Sequence, residues 1–219
     1  MIDVLGWCFG CKRELRWNAE QNGKWRPPTE HWRFGGGAEI CRGPVWPGVR
    51  AHDQAEADRL IPELLAVESP GHWLEWVPGR GKINLSGYLT PDFVAHYRET
   101  DASPSTTAPP NEETGIAVAQ IARAAYKERG HGLIDWLRIS ADPDGPPVNI
   151  DHVRAVVAEA REAGVPVWIE RLGPHPRGEI GIGRDIVVPA AAVIKDPAGS
   201  DPAEWPRDLR RCRELPEVE

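Results

Sequence analysis

From Val45 onward the chain alternates short apolar runs with segments of helical periodicity, and this alternation constrains the fold more than any other feature. Val45 to Val49 reads as a buried strand. Gln54 to Val67 follows as a helix with Ala57, Leu60, Ile61, Leu64 and Leu65 on one face and Asp53 as its N-cap. Pro62 falls inside that pattern and removes an amide donor, which predicts a kink or an early break. His72 to Val77 is the next strand, closed by the turn residues Pro78-Gly79-Arg80-Gly81. Ile134 to Ser140 is another, and Asn149 or Asp151 caps a helix that runs to about Ala163, where Gly164 supplies the stop. Val165 to Leu172 is the strand after it. Strand, helix, strand with short connections predicts parallel pairing through crossovers, hence an α/β fold.

The flanking segments read differently. Residues 1–44 are rich in Gly, Trp and charge, with little periodicity, and are expected to form an irregular N-terminal module. Residues 100–114 (TDASPSTTAPPNEET) have the composition of a mobile loop, and Ile116 to Arg129 returns to helical spacing. Residues 174–219 form a C-terminal extension, in which Ile180 to Ile194 reads as one or two strands and Trp205 to Leu215 as a short basic helix.

A chain of 219 residues is enough for one main core. No run of about 18 apolar residues exists to span a bilayer, and the start MIDVLGWCFG lacks the basic, then apolar, layout of a signal peptide. The expectation is a cytoplasmic protein with no membrane partner. A net charge of −7 opposes broad nucleic-acid binding, which depends on Lys and Arg displacing counterions. Ten Trp beside three Phe and three Tyr are expected mainly as core anchors, each indole N–H needing a partner.

The N-terminal segment carries the one set of residues with metal-ligand spacing. Cys8 and Cys11 form a C-x2-C pair, and His31 and Cys41 extend it to C-x2-C-x19-H-x9-C. Four such groups close a tetrahedral zinc site, and a metal clip would let a Gly-rich segment fold with little core. The plainer alternative is that Cys8 and Cys11 are ordinary reduced thiols, as Cys212 is expected to be. His52, His131, His152 and His175 have no paired spacing and read as surface or capping residues. Asp142, Asp144, Glu170 and Arg171 fall near strand ends, the ligand-binding face of a parallel barrel; an ion pair between Glu170 and an arginine is the structural alternative.

Three separated blocks carry a resemblance: VWPGVRAHDQAEADRLIPELL, GHWLEWVPGRGKINL, and IDWLRISADPDG followed by VRAVVAEAREAGVPVWIERLG. In order and spacing they are similar to the later part of the phage gp thirty-seven / gp sixty-eight family, a radical-SAM-like barrel group of unknown function. The resemblance implies a partial TIM-type barrel of parallel βα units over residues 45–173. Complete members carry a first barrel half with a cysteine motif ahead of this region, whereas 44 residues precede Val45 here, too few for several units of about 30 residues each. Polar positions also depart from the family: Val77 stands for its Glu before Pro78, Glu170-Arg171 for its Lys-Gln pair, and Ser140-Ala141-Asp142-Pro143 for its Gly-Gly-Glu-Ser run.

Radical-SAM chemistry uses three close cysteines, commonly C-x3-C-x2-C, and that triad is missing, which disfavours an iron–sulfur cluster. The expectation is therefore a phage- or prophage-type accessory protein that has lost the family's catalysis. Two enzyme readings stand against it. One is a residual radical-SAM-like protein with a cluster on Cys8, Cys11 and Cys41. The other is an HNH-like nuclease, suggested by the same cysteines with Glu30-His31 and Gly35-Gly36-Gly37 but lacking a second C-x2-C and the usual Asn. A parallel sheet without its first half would have open edges, which predicts a homodimer or a separately encoded partner chain at Val45–Val49.

Overall fold

The computed structural model describes residues 4–16, 31–33, 39–41, 43–89, 133–182 and 186–217. The helix expected over Ile116 to Arg129 and the loop over 100–114 lie outside them. At its centre is a six-stranded sheet in the order β2-β1-β3-β4-β5-β6, built from β1 (Leu5–Cys8), β2 (Arg13–Arg16), β3 (Val45–Ala51), β4 (Trp73–Trp76), β5 (Trp136–Ser140) and β6 (Val167–Arg171). Strands β3, β4, β5 and β6 are mutually parallel neighbours, as their apolar runs predict. Helix α1 (Gln54–Leu65) lies between β3 and β4 in sequence, and α3 (Ile150–Glu162) between β5 and β6; α2 (Ser86–Leu89) is a single short turn after β4.

Local chemistry accounts for the helix ends. The Asp53 side chain accepts from the Glu56 amide at 2.9 Å and the Asn149 side chain from the Asp151 amide at 2.9 Å, so each satisfies an amide that the first helical turn leaves open. Gly164 takes a positive φ of 69°, a conformation that costs a glycine little, and α3 stops just before it. The early break expected at Pro62 does not occur. Helix α1 continues through it to Leu65, held by the burial of Ala57, Leu60, Ile61 and Leu64.

Two further corrections concern the flanks. Residues 5–16 are not irregular: β1 and β2 form an antiparallel hairpin, and β1 pairs antiparallel with β3 from Leu5↔Gly48 to Cys8↔Val45. The strand containing Val45 to Val49 is therefore internal, hydrogen-bonded on both sides, and the ground for placing a partner chain there is removed. The outer side of β6 is met by the chain's own tail, through Ile169 N–H to Cys212 O at 2.7 Å and Glu214 N–H to Val167 O at 3.0 Å. Residues 205–215 make turns and this edge contact instead of a helix. A separate hairpin, β7 (Glu179–Ile182) with β8 (Ile186–Pro189), precedes the short helix α4 (Ala190–Val193). Another pairs β9 (His31–Arg33) with β10 (Glu39–Cys41).

Strand periodicity divides the sheet into two faces. Val45, Val49, Ala51, Leu74, Trp76, Leu137, Ile139, Val167 and Ile169 join the core with α1 and α3. The alternate residues Trp46, Trp73 and Trp136 form a second buried cluster, joined by Leu5, Trp7, Phe9 and Trp168. Neighbouring strands lie about 4.8 Å apart, so in a flat sheet β1 and β5 would be about 14 Å apart. Yet the Trp7 and Trp136 rings meet with centroids 5.3 Å apart, and Glu14 of β2 reaches Arg138 of β5 at 3.2 Å. The sheet is thus curled into half a barrel, with the tryptophans inside.

Gly48 is what makes room for that interior. The Trp73 indole from the neighbouring strand lies against it, donating its N–H to the Trp46 carbonyl at 2.9 Å, and a Cβ at Gly48 would be driven into the ring. Gly48→Ala is expected to cost about 1–3 kcal/mol by overpacking. Urea unfolding tests this, and an unchanged midpoint would mean that the indole does not rest on the strand.

Candidate metal centre and strand-end pocket

The turn between β1 and β2 consists of Phe9, Gly10, Cys11 and Lys12, closed by the Cys8↔Arg13 pair, with Lys12 in the left-handed region at φ 55°. This tight reversal folds Cys11 back toward Cys8. The end of β10 brings Cys41 to the same place, so that the ligand atoms of Cys8, Cys11 and Cys41 lie within 4.8 Å of one another, with Cys8 Sγ 3.6 Å from Cys41 Sγ. None of the three forms a disulfide. Two glycines permit the approach: a Cβ on Gly43 would come within 2.5 Å of the Gly10 backbone and 3.2 Å of Cys8 Sγ, and one on Gly10 within 3.1 Å of Cys41 Sγ. Phe9 N–H donates to the Pro44 carbonyl at 3.0 Å and ties the two segments together.

The spacing distinguishes between kinds of metal site. Ligand sulfurs about 2.3 Å from one tetrahedral ion stand about 3.8 Å apart. A multi-iron cluster binds each thiolate through a different iron and so spreads the sulfurs more widely. The separations here suit a single ion. Burial, then hydrogen bonding and charge repulsion from Cys8 and Cys41, push the Cys11 thiol from 9.0 up to about 12.

His31 stands directly across from Cys41 in the register of β9 and β10. Glu30 and Gly35-Gly36-Gly37, which prompted the nuclease reading, lie outside the described residues, as does His131. Cys212 is not part of this group: it is buried, and Arg161 of α3 donates to its sulfur at 3.2 Å.

A second polar site lies at the carboxyl ends of the parallel strands, where a pocket of about 260 Å³ opens between Arg50, His52, Glu75 and Val77 on one side and Ser140, Asp142, Pro143 and Arg171 on the other. Of the expected strand-end residues, Asp142 and Arg171 line it. Asp144 does not; its amide donates to the Asp142 carboxylate at 3.0 Å. Glu170 is instead in the anticipated structural ion pair, with Arg138 at 3.0 Å. Arg50, Glu75 and Ser140 were not among the expected site residues, although the alternation of β3, β4 and β5 could have flagged the polar residue near each strand's end; His52, expected as a surface or capping residue, lines the pocket with its ring 2.8 Å from Glu56.

Between pocket and tryptophans runs a chain of alternating charges. Glu75 accepts from Arg50 at 2.6 Å, Arg50 stands 3.6 Å from Glu14, and Arg138 meets Glu14 at 3.2 Å and Glu170 at 3.0 Å. The Arg138 guanidinium also lies 4.6 Å from the Trp7 ring centroid, 5.1 Å from that of Trp73 and 5.6 Å from that of Trp136. Its Nε, with the indole N–H groups of Trp7, Trp46 and Trp76, has no hydrogen-bond partner among the described residues. Trp136 and Trp205 meet the expectation of a partner, donating to Glu214 and Gly199 carbonyls at 3.1 and 2.9 Å.

Among the described residues no helix is long and apolar enough to cross a membrane. The chain matches no family model, no curated protein and no solved structure, so these comparisons do not identify the phage family that its strand blocks resemble.

Proposed function

We propose that this chain is a zinc-binding accessory protein without catalysis of its own, in which Cys8, Cys11 and Cys41, with His31 as fourth ligand, hold one structural zinc ion. The observation that carries this reading is the approach of three sulfurs from two segments to one-ion spacing. Zinc suits thiolate and imidazole donors in a tetrahedral set, and four protein ligands leave no open position for substrate. The ion would fasten the β1–β2 hairpin, and with it Trp7 and Phe9, over the half-barrel. A partial TIM-type barrel derived from a radical-SAM-like ancestor is the descent we favour, supported by the consecutive parallel strands β3 to β6 and by the polar residues at their carboxyl ends.

The titration of Cys11 provides a test with a definite sign. Its folded-state value lies above the ordinary 9.0, so without metal the folded chain keeps a proton that the unfolded chain releases. Stability of the metal-free protein is therefore expected to fall as pH rises from about 9 toward about 12. With zinc bound, the thiols are already deprotonated and this loss disappears. Chemical unfolding of both forms across that range checks the difference, and parallel pH curves would contradict a zinc ion on these thiols.

A further inference from the structure

The pocket at the strand ends is independent of the metal centre and has its own pattern of used and unused charge. Arg50 is spent on Glu75, whose carboxylate is buried and accepts two guanidinium contacts at 2.6 Å. Arg171 reaches the pocket because β6 carries a bulge: Ile139 pairs with Ile169 but Ser140 with Arg171, so Glu170 is the extra residue. Regular alternation would place Arg171 on the helix side with Ile169; the bulge turns it to the inner side with Ser140. There Arg171 Nε donates to the Ser140 hydroxyl at 3.1 Å, and its guanidinium has no carboxylate within ion-pair distance among the described residues. Asp142, across the same pocket, likewise has no cationic partner among them, its carboxylate accepting only from the Asp144 amide.

A guanidinium and a carboxylate thus line one cavity without neutralising each other. Ser140 is 3% exposed and fixed as the acceptor for Arg171, which leaves its hydroxyl proton for a ligand. With Arg50 and Glu75 cancelling, the lining carries one net site of each sign, and Asp142 and Glu75 would repel a phosphate. We infer that this pocket binds a small zwitterion of the α-amino-acid class, its carboxylate on Arg171 and Ser140 and its ammonium on Asp142. A volume of about 260 Å³ accommodates a molecule of that size. Arginine's planar fork suits a carboxylate, and neither charged group of the ligand would be left unpaired.

Melting and calorimetric titration of the full chain with each of the common α-amino acids at millimolar concentration test the inference, with propionate, propylamine and inorganic phosphate as single-charge probes. At least one amino acid is expected to bind and raise the melting temperature, and propionate and propylamine to bind far more weakly. Arg171→Gln and Asp142→Asn are each expected to weaken that binding about tenfold or more, with metal content and ligand-free melting unchanged. Failure of every amino acid to bind, binding that survives both substitutions, or tighter binding of phosphate would overturn it.

Discussion

Cys8→Ser is expected to detach the β1–β2 hairpin from the sheet. Structural zinc contributes about 10–16 kcal/mol of apparent binding free energy in small modules, and losing one thiolate forfeits most of it. Cys8 is buried in the same cluster as the apolar residues of α1 and α3, so the loss is expected to be greatest at the β1–β2 edge and smaller in the helices packed behind it. Amide exchange in residues 5–16 should rise by orders of magnitude, and a hydrophobic dye should bind as Trp46, Trp73 and Trp136 lose the cover of Trp7 and Phe9. Cys212→Ala is the control: it removes a thiol elsewhere in the core and should leave exchange in the hairpin unchanged. Equal exchange in the two variants would mean that no metal fastens the hairpin.

The second large effect is expected at Arg138, whose side chain is 7% exposed, lies against three indoles and bridges Glu14 and Glu170. Arg138→Ala should lower stability by about 2–4 kcal/mol, chiefly because it opens a gap among the tryptophans, the half-exposed carboxylates of Glu14 and Glu170 adding little. Arg138→Met refills the gap and should recover part of the loss. Urea unfolding with an unchanged slope measures both. A cost for the alanine variant below about 1 kcal/mol would show that the half-barrel interior is not organised around this guanidinium.

The parallel strands and the ends of α3 were legible because their signals are local: apolar runs of strand length, an Asn side chain for the first turn and a Gly for the last. The cysteine set was legible for a related reason, since C-x2-C on a tight turn brings two sulfurs together whatever surrounds it. The hairpin at the N-terminus was not. Strands of four residues carry too little periodicity: what makes Leu5–Cys8 a strand is its pairing with Val45–Gly48, distant in sequence, and Arg13–Arg16 is a strand through its pairing with Leu5–Cys8. The helix runs on past Pro62 without the early break because a buried helical face outweighs one lost hydrogen bond. The pocket was half legible. Asp142 and Arg171 follow from their place at strand ends, but the bulge at Glu170 that turns Arg171 inward depends on registry with β5. Arg50 and Glu75 acquire meaning only once β3 and β4 are aligned.

The proposed single zinc ion is tested by elemental analysis together with acid-labile sulfide on protein purified without oxygen or added metal. One equivalent of zinc per chain and no sulfide are expected, with zinc lost on Cys8→Ser, Cys11→Ser or Cys41→Ser and retained on Cys212→Ala. Iron accompanied by sulfide, or protein free of metal that fails to take up zinc, would contradict it.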